Sequence, residues 1–120
     1  MSTACPLDPL IVARRARRDR AMALVVRCRI QARHDALEGE RAACRERLAV
    51  LVAEGAAPVE LGRADERSGL LAVRVGEARA ELMAAERSLE AARNELADAL
   101  AAFFRAEAKL DALGQQRQEW

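Results

Sequence analysis

The chain has 120 residues, of which 52% are hydrophobic, but it contains only two Phe, one Trp and no Tyr. Ala, Leu, Arg and Glu dominate, and these residues enter a helix at low cost, so the composition favours long helices over a large globular core. The formal net charge of +1 gives no reason to expect nucleic acid or a membrane surface as a partner.

Charge is unevenly distributed along the chain. Residues 1–50 carry eleven Arg against six acidic residues, whereas residues 51–120 carry nine basic against thirteen acidic residues. The two halves are therefore electrically complementary and would attract each other side by side, although each exposed ion pair contributes only ~0–1 kcal/mol.

Cysteine usage and hydropathy indicate the compartment. Cys5, Cys28 and Cys44 are widely spaced, which predicts neither a disulfide framework nor a zinc site. Arginines interrupt the apolar start of the chain at once, and no apolar run reaches the ~20 residues that span a bilayer. The sequence predicts a soluble cytoplasmic protein.

The first half of the chain predicts one long helix. After a flexible N-terminus over residues 1–8, Asp8 and Pro9 form a good helix start, because the carboxylate caps a backbone N–H and proline loses no hydrogen bond there. No proline follows until Pro58, and Gly55 suits a left-handed C-terminal position. Helix 1 is therefore predicted over 9–54.

Gly and Pro mark one break in the middle of the chain, predicted as a turn over residues 55–64. A short connection between long helices favours antiparallel neighbours. We therefore expect helix 2 over 65–115, and an all-α fold in which the two helices form an antiparallel coiled-coil hairpin as a single structural unit.

Helix 2 carries a strict seven-residue repeat, which implies a left-handed supercoil with a partner helix. Its larger members are Val75, Leu82, Leu89, Leu96, Phe103 and Leu110, and an alanine follows most of them by three residues. Helix 1 has a looser repeat that includes Cys44 and is flanked by Val26. Its predicted contributions to the coiled-coil seam are Ile30, Leu37, Leu48 and Leu51.

The candidate chemical groups favour binding over catalysis. His34 has no partner that sequence reasoning can place beside it, and we expect it at a solvated or flanking position. Cys44 is expected to act as a small core residue. A row of acidic residues is interpreted as a solvated face, because bundle metal sites need ligands from several helices; the row comprises Glu77, Glu81, Glu86 and Glu90. The sequence predicts no enzyme activity, metal or cofactor.

A basic run at the start of helix 1 is the most distinctive polar feature. Arg14, Arg17 and Arg18 interrupt the apolar stripe, so we expect this end to pack poorly and to be available to a partner. Phe104 lies beside the seam and is a second candidate contact residue. A nucleic-acid reader would normally add stacking aromatics, so an acidic protein surface is the expected partner.

The first residues also resemble a known family. The run from Leu7 to Ala21 reads LDPLIVARRARRDRA, an L-x-x-h-x-x-x-R-x-x-R-x-x-x-A arrangement. It resembles the start of the small stalk proteins of type III secretion systems, the YscO family and its flagellar counterpart FliJ. Those proteins are also helical hairpins of about this size, rich in Arg and Glu, with a short mid-chain break.

The resemblance implies a non-enzymatic central stalk at the cytoplasmic face of a secretion machine. In that family the terminal ends of the hairpin enter a hexameric export ATPase, and other parts contact the export gate protein and substrate chaperones. Carried onto this sequence, Arg14, Arg17 and Arg18 would face the ring. The alanine-rich second helix departs from the pattern of many members of that family.

Two other interpretations remain open from the residues alone. The chain could be a generic coiled-coil adaptor or oligomerisation module without an ATPase partner. A basic helix associated with RNA or DNA is a weaker alternative. If the gene for this protein lay beside a gene for a secretion ATPase, the stalk interpretation would be favoured.

Overall fold

The computed structural model describes residues 7–119. They form two α-helices, α1 over Leu7–Ala53 and α2 over Pro58–Glu119, and no strand occurs within this range. The prediction of an all-α fold built from two long helices in a hairpin is confirmed.

Helix α1 begins two residues before the predicted start at Pro9. Asp8 lies within its first turn, where a carboxylate favourably faces the positive end of the helix dipole. Pro9 also lies in this turn, where the first N–H groups have no helical acceptor, so its missing N–H costs nothing. The predicted flexible N-terminus over residues 1–8 falls mostly outside the described residues.

Helix α1 ends in a Schellman motif built around Gly55. Gly55 has a positive φ of 71°, and it is the residue at which the chain leaves the helix. The amide of Ala56 donates to the carbonyl of Leu51 at 3.0 Å, and the amide of Gly55 donates to the carbonyl of Val52 at 3.2 Å. These two hydrogen bonds satisfy carbonyls that the helix end would otherwise leave unpaired.

The connection between the helices is much shorter than the predicted turn over 55–64. Helix α2 starts at Pro58, whose fixed φ suits the first helical position, and Leu61 donates its amide to the carbonyl of Ala57 at 3.1 Å. Gly62 lies inside the helix. A single glycine costs only about 1 kcal/mol relative to alanine, which is too little to break a helix whose Leu61 and Ala64 are half-buried.

Contacts divide the chain into two compact units instead of the single unit that we predicted. The terminal unit joins α1 up to Val25 with α2 from Arg87 onward, and the turn unit is Val26–Glu86. Paired long helices contact each other only locally along their length, so contacts group by position and not around one core.

In the terminal unit the seam is rich in alanine. Ala13 and Ala16 of α1 form a buried cluster with Leu96 and Ala99 of α2, and Leu100 packs against it. Small side chains allow the two backbones to approach closely. Leu89 and Ala92 of the α2 seam are also buried in this unit, and Phe103 is half-buried.

The turn unit contains the most deeply buried seam side chain, Val75, which is 1% exposed. The seam alanines Ala78 and Ala85 are also buried, whereas the other large seam residues predicted in this unit are half-buried: Ile30, Leu37, Leu48, Leu51 and Leu82. The seam also extends further toward the turn than the sequence predicted. It includes buried Leu71 and half-buried Leu61, Ala64 and Ser68.

Ion pairs across the turn unit show the antiparallel register. Arg27 Nη2 lies 3.5 Å from Glu86 Oε1, Arg33 pairs with Glu81, and Arg79 Nη2 lies 3.0 Å from Glu38 Oε1. From one pair to the next, the residue number on α2 falls as the residue number on α1 rises, which is the pattern of antiparallel helices. Two of the three pairs join an Arg of the basic first half to a Glu of the acidic second half.

One row of the α1 seam is polar, which sequence reasoning missed. Arg27 and Arg41 are half-buried and His34 is only 8% exposed, whereas Val26, predicted beside the seam, is 48% exposed. The expectation that His34 lies at a solvated or flanking position is therefore wrong. This polar row shares the α1 seam with the half-buried apolar residues Ile30 and Leu37.

Candidate docking surfaces

The arginines at the start of α1 form an exposed face in the terminal unit. Ile11, Arg14, Arg15 and Arg18 follow helical i, i+3, i+4, i+7 spacing and line a shallow depression of about 250 Å³. The same turns of the helix bury Ala13 and Ala16. The seam thus fixes this part of α1 while the arginine face points away from it.

The structure brings together two of the three arginines predicted to bind a partner. Arg14 and Arg18 share the depression, whereas Arg17 is exposed but does not line it. Sequence reasoning missed Ile11 and Arg15 as members of this face. Their spacing from Arg14 and Arg18 was the available signal, since all four fall on one stripe of an α-helix.

The guanidinium groups of this face have no acidic partner among the described residues. Every ion pair found in residues 7–119 lies within the turn unit, and none includes Arg14, Arg15 or Arg18. Ile11 is 51% exposed beside them. The face combines free positive charge with an apolar contact, which suits a carboxylate-bearing protein surface.

Phe104 is an exposed aromatic residue of the same unit. Its ring is 59% exposed and lies 5.7 Å, centroid to centroid, from the ring of half-buried Phe103 at an interplanar angle of 57°. This tilted arrangement is favourable for aromatic pairs. Phe103 therefore supports Phe104 in an orientation that leaves most of its surface accessible.

The end of α2 continues the seam repeat without burying it. All side chains over 107–117 are exposed, including Leu110 at 47% and Leu113 at 57%. The prediction that Leu110 belongs to the buried seam is wrong. Since Ala13 and Ala16 of α1 already pack with Ala99 and Leu96, α2 beyond Ala106 runs past the first described turn of α1.

His34 lies in a small polar cluster that links the helices of the turn unit. Its Nδ1 is 3.2 Å from Asp35 Oδ1, and its Nε2 is 3.4 Å from Glu38 Oε1 without hydrogen-bond geometry. The hydrogen bonds from His34 and then Gln31 lower the pKa of Asp35. Glu38 in turn accepts from Arg79 of α2. The contact between Arg79 and Glu38 joins this cluster to α2.

The remaining candidate groups have structural surroundings. Glu81 and Glu86 are engaged in ion pairs with arginines of α1, and no cluster of at least three metal-binding side chains occurs in the described part of the chain. Half-buried Cys44 donates from Sγ to the carbonyl of Ala64 at 3.6 Å, whereas Cys28 is exposed. Cys5 lies outside the described residues.

Within residues 7–119, no helix combines the length and apolarity that crossing a membrane requires. Comparison with models of protein families, with curated proteins and with solved structures finds no match to this chain.

Proposed function

We propose that this protein is a non-enzymatic central stalk or adaptor of a type III secretion export apparatus. It docks into the hexameric export ATPase and links that ATPase to the export gate protein or to secretion chaperones. It works in the cytoplasm, at the cytoplasmic face of the machine, and uses no cofactor or nucleic acid. The observation that carries this proposal is the exposed arginine face, which forms no ion pair with any described residue and lies on a helix whose opposite side is packed in a coiled coil.

A sequence resemblance and the position of the arginine face both support this proposal. The residues from Leu7 to Ala21 resemble the start of the YscO and FliJ stalk proteins, and the two-helix hairpin is the architecture that this resemblance implies. The arginine face lies within the same stretch of sequence, on the first turns of α1. Resemblance and geometry therefore support the same docking surface.

The chemistry of docking follows from the guanidinium groups. Arginine forms paired hydrogen bonds with carboxylates, so Arg14 and Arg18, one helical turn apart, would engage acidic residues at the opening of the ATPase ring. Arg17 and Phe104 would add contacts around this face. Because exposed charges are screened over ~10 Å at 0.1 M salt, binding should weaken as salt rises.

The test replaces Arg14, Arg17 and Arg18 with Glu and measures two properties: association with a type III export ATPase, and stimulation of its ATP hydrolysis. We expect both to be lost at unchanged helicity, since the exposed arginines do not support the fold. A control with the same charge change at exposed arginines elsewhere, R45E/R74E/R93E, should bind and stimulate normally. Normal activity of the first variant, or its unfolding, would reject this docking surface.

The exposed end of α2 favours a second candidate, a generic coiled-coil adaptor or oligomerisation module without an ATPase partner. Leu110 and Leu113 continue the seam repeat with no described helix covering them. Under this alternative, two or more copies would associate through that repeat. Sedimentation of wild type and of L110E/L113E separates the two: a concentration-dependent oligomer that the variant abolishes supports the module, and a monomer supports the stalk.

A further inference from the structure

A groove near the turn carries a second group of arginines. It has a volume of about 590 Å³ and lies between the last turns of α1 and the first turns of α2, within the turn unit. Arg47 lines it from α1, and Arg63 and Arg67 line it from α2. Half-buried Leu51 contributes an apolar wall.

These three arginines are exposed and free of ion pairs within the described chain. The same unit does pair other arginines, since Arg27 and Arg33 each reach a glutamate of α2. Two glutamates, Glu40 and Glu60, also line the groove, but neither lies within ion-pairing distance of its arginines. The groove thus has three arginines against two glutamates, a net charge of +1, and its arginines form no ion pair among the described residues.

We infer that this groove binds an acidic amphipathic helix of a partner protein. Arg63 and Arg67 stand one turn apart on α2, which is a rise of about 6 Å, so they match two carboxylates at i and i+4 on a partner helix. Arg47 faces the same ligand from α1. An apolar side chain at i+3, next to the carboxylates on the helix surface, packs against Leu51, which couples the charge contacts to burial of apolar surface.

The rest of the groove favours a protein over a nucleic acid. With Glu40 and Glu60 set against its three arginines, the groove has a net charge of only +1, which is low for a surface that binds a continuous phosphate backbone. No aromatic side chain lines the groove, so bases have no stacking platform there. The inference does not rest on the proposed secretion function, because it uses other residues in the other unit.

The experiment measures binding of a fluorescent synthetic helical peptide with Glu at i and i+4 and Leu at i+3. The full chain should bind it, and R63E/R67E should weaken binding by about tenfold or more, since each lost charged hydrogen bond removes substantial affinity. The matched control R45E/R74E reverses two exposed arginines outside the groove and should bind like wild type. A peptide with Gln in place of Glu should bind far more weakly to the full chain.

Three outcomes would overturn the inference. They are equal binding of the Glu and Gln peptides, equal weakening by the two double variants, and tighter binding of a single-stranded oligonucleotide than of the acidic peptide. Circular dichroism of each variant establishes that its helices are intact. Because R63E/R67E leaves the arginine face of α1 unchanged, loss of peptide binding with normal ATPase association distinguishes this groove from the proposed stalk function.

Discussion

Truncation of Leu89 to Ala tests the seam on which both docking surfaces depend. Leu89 is 5% exposed on α2, so the change removes buried methyl groups and leaves a cavity that a two-helix pair can only partly close. Such substitutions cost about 2–4 kcal/mol when the site is well buried. With an unfolding entropy typical of a chain this size, the melting temperature should fall by on the order of 10 °C.

The matched control is Leu70→Ala, the same substitution on the same helix at a side chain that is 66% exposed. Leu and Ala have similar helix propensities, so the control should change stability by less than about 0.5 kcal/mol. Thermal and urea unfolding followed by circular dichroism measure both variants. Equal losses at the two positions would show that the buried face of α2 has been assigned wrongly.

Three smaller predictions concern the backbone and pH. Gly76→Ala should stabilise the chain by roughly 0.5–1 kcal/mol in urea unfolding, because Gly76 is helical and an added Cβ meets nothing within 4 Å. Gly55→Ala should destabilise it by about 1 kcal/mol in the same assay, because alanine is strained at a φ of 71°. Since the folded state lowers the pKa of Asp35, that carboxylate stabilises the fold above its ordinary pKa of 3.8 and loses this effect as pH falls. Asp35→Asn should therefore flatten the acid side of the stability curve in melts from about pH 6 to about pH 2.

Sequence periodicity predicted much of the fold because the seam of α2 repeats without interruption. Val75, Leu89 and Leu96 fall seven apart or at multiples of seven, and all three are buried. The helix end at Gly55 was also predictable, because glycine alone adopts its backbone conformation without cost. In both cases the determining information lies in nearby residues.

Features that depend on how the helices pair were not predictable in the same way. His34 is buried although a histidine breaks an apolar pattern, because burial depends on where the partner helix lies and not on residue type alone. Leu110 follows the repeat and is nevertheless exposed, because burial requires a partner helix at that position. The groove containing Arg47 and Arg63 arises from the register of two helices, which no single stretch of sequence shows.

The shape of the docking face was likewise visible only in part. The basic run predicted a partner surface at Arg14 and Arg18, and these residues do share one exposed face. Ile11 and Arg15 complete that face through helical spacing, while Arg17 lies outside the depression. A run of charges along a sequence is divided among several faces of the helix, so membership of a surface follows angular position more than adjacency.

Native mass spectrometry of this protein mixed with a type III export ATPase tests the proposed docking most directly. A central stalk predicts a complex of one chain with the ATPase hexamer, present at low salt and lost as salt rises because the arginine contacts are screened. ATPase hexamers without the bound chain at low salt would contradict the account.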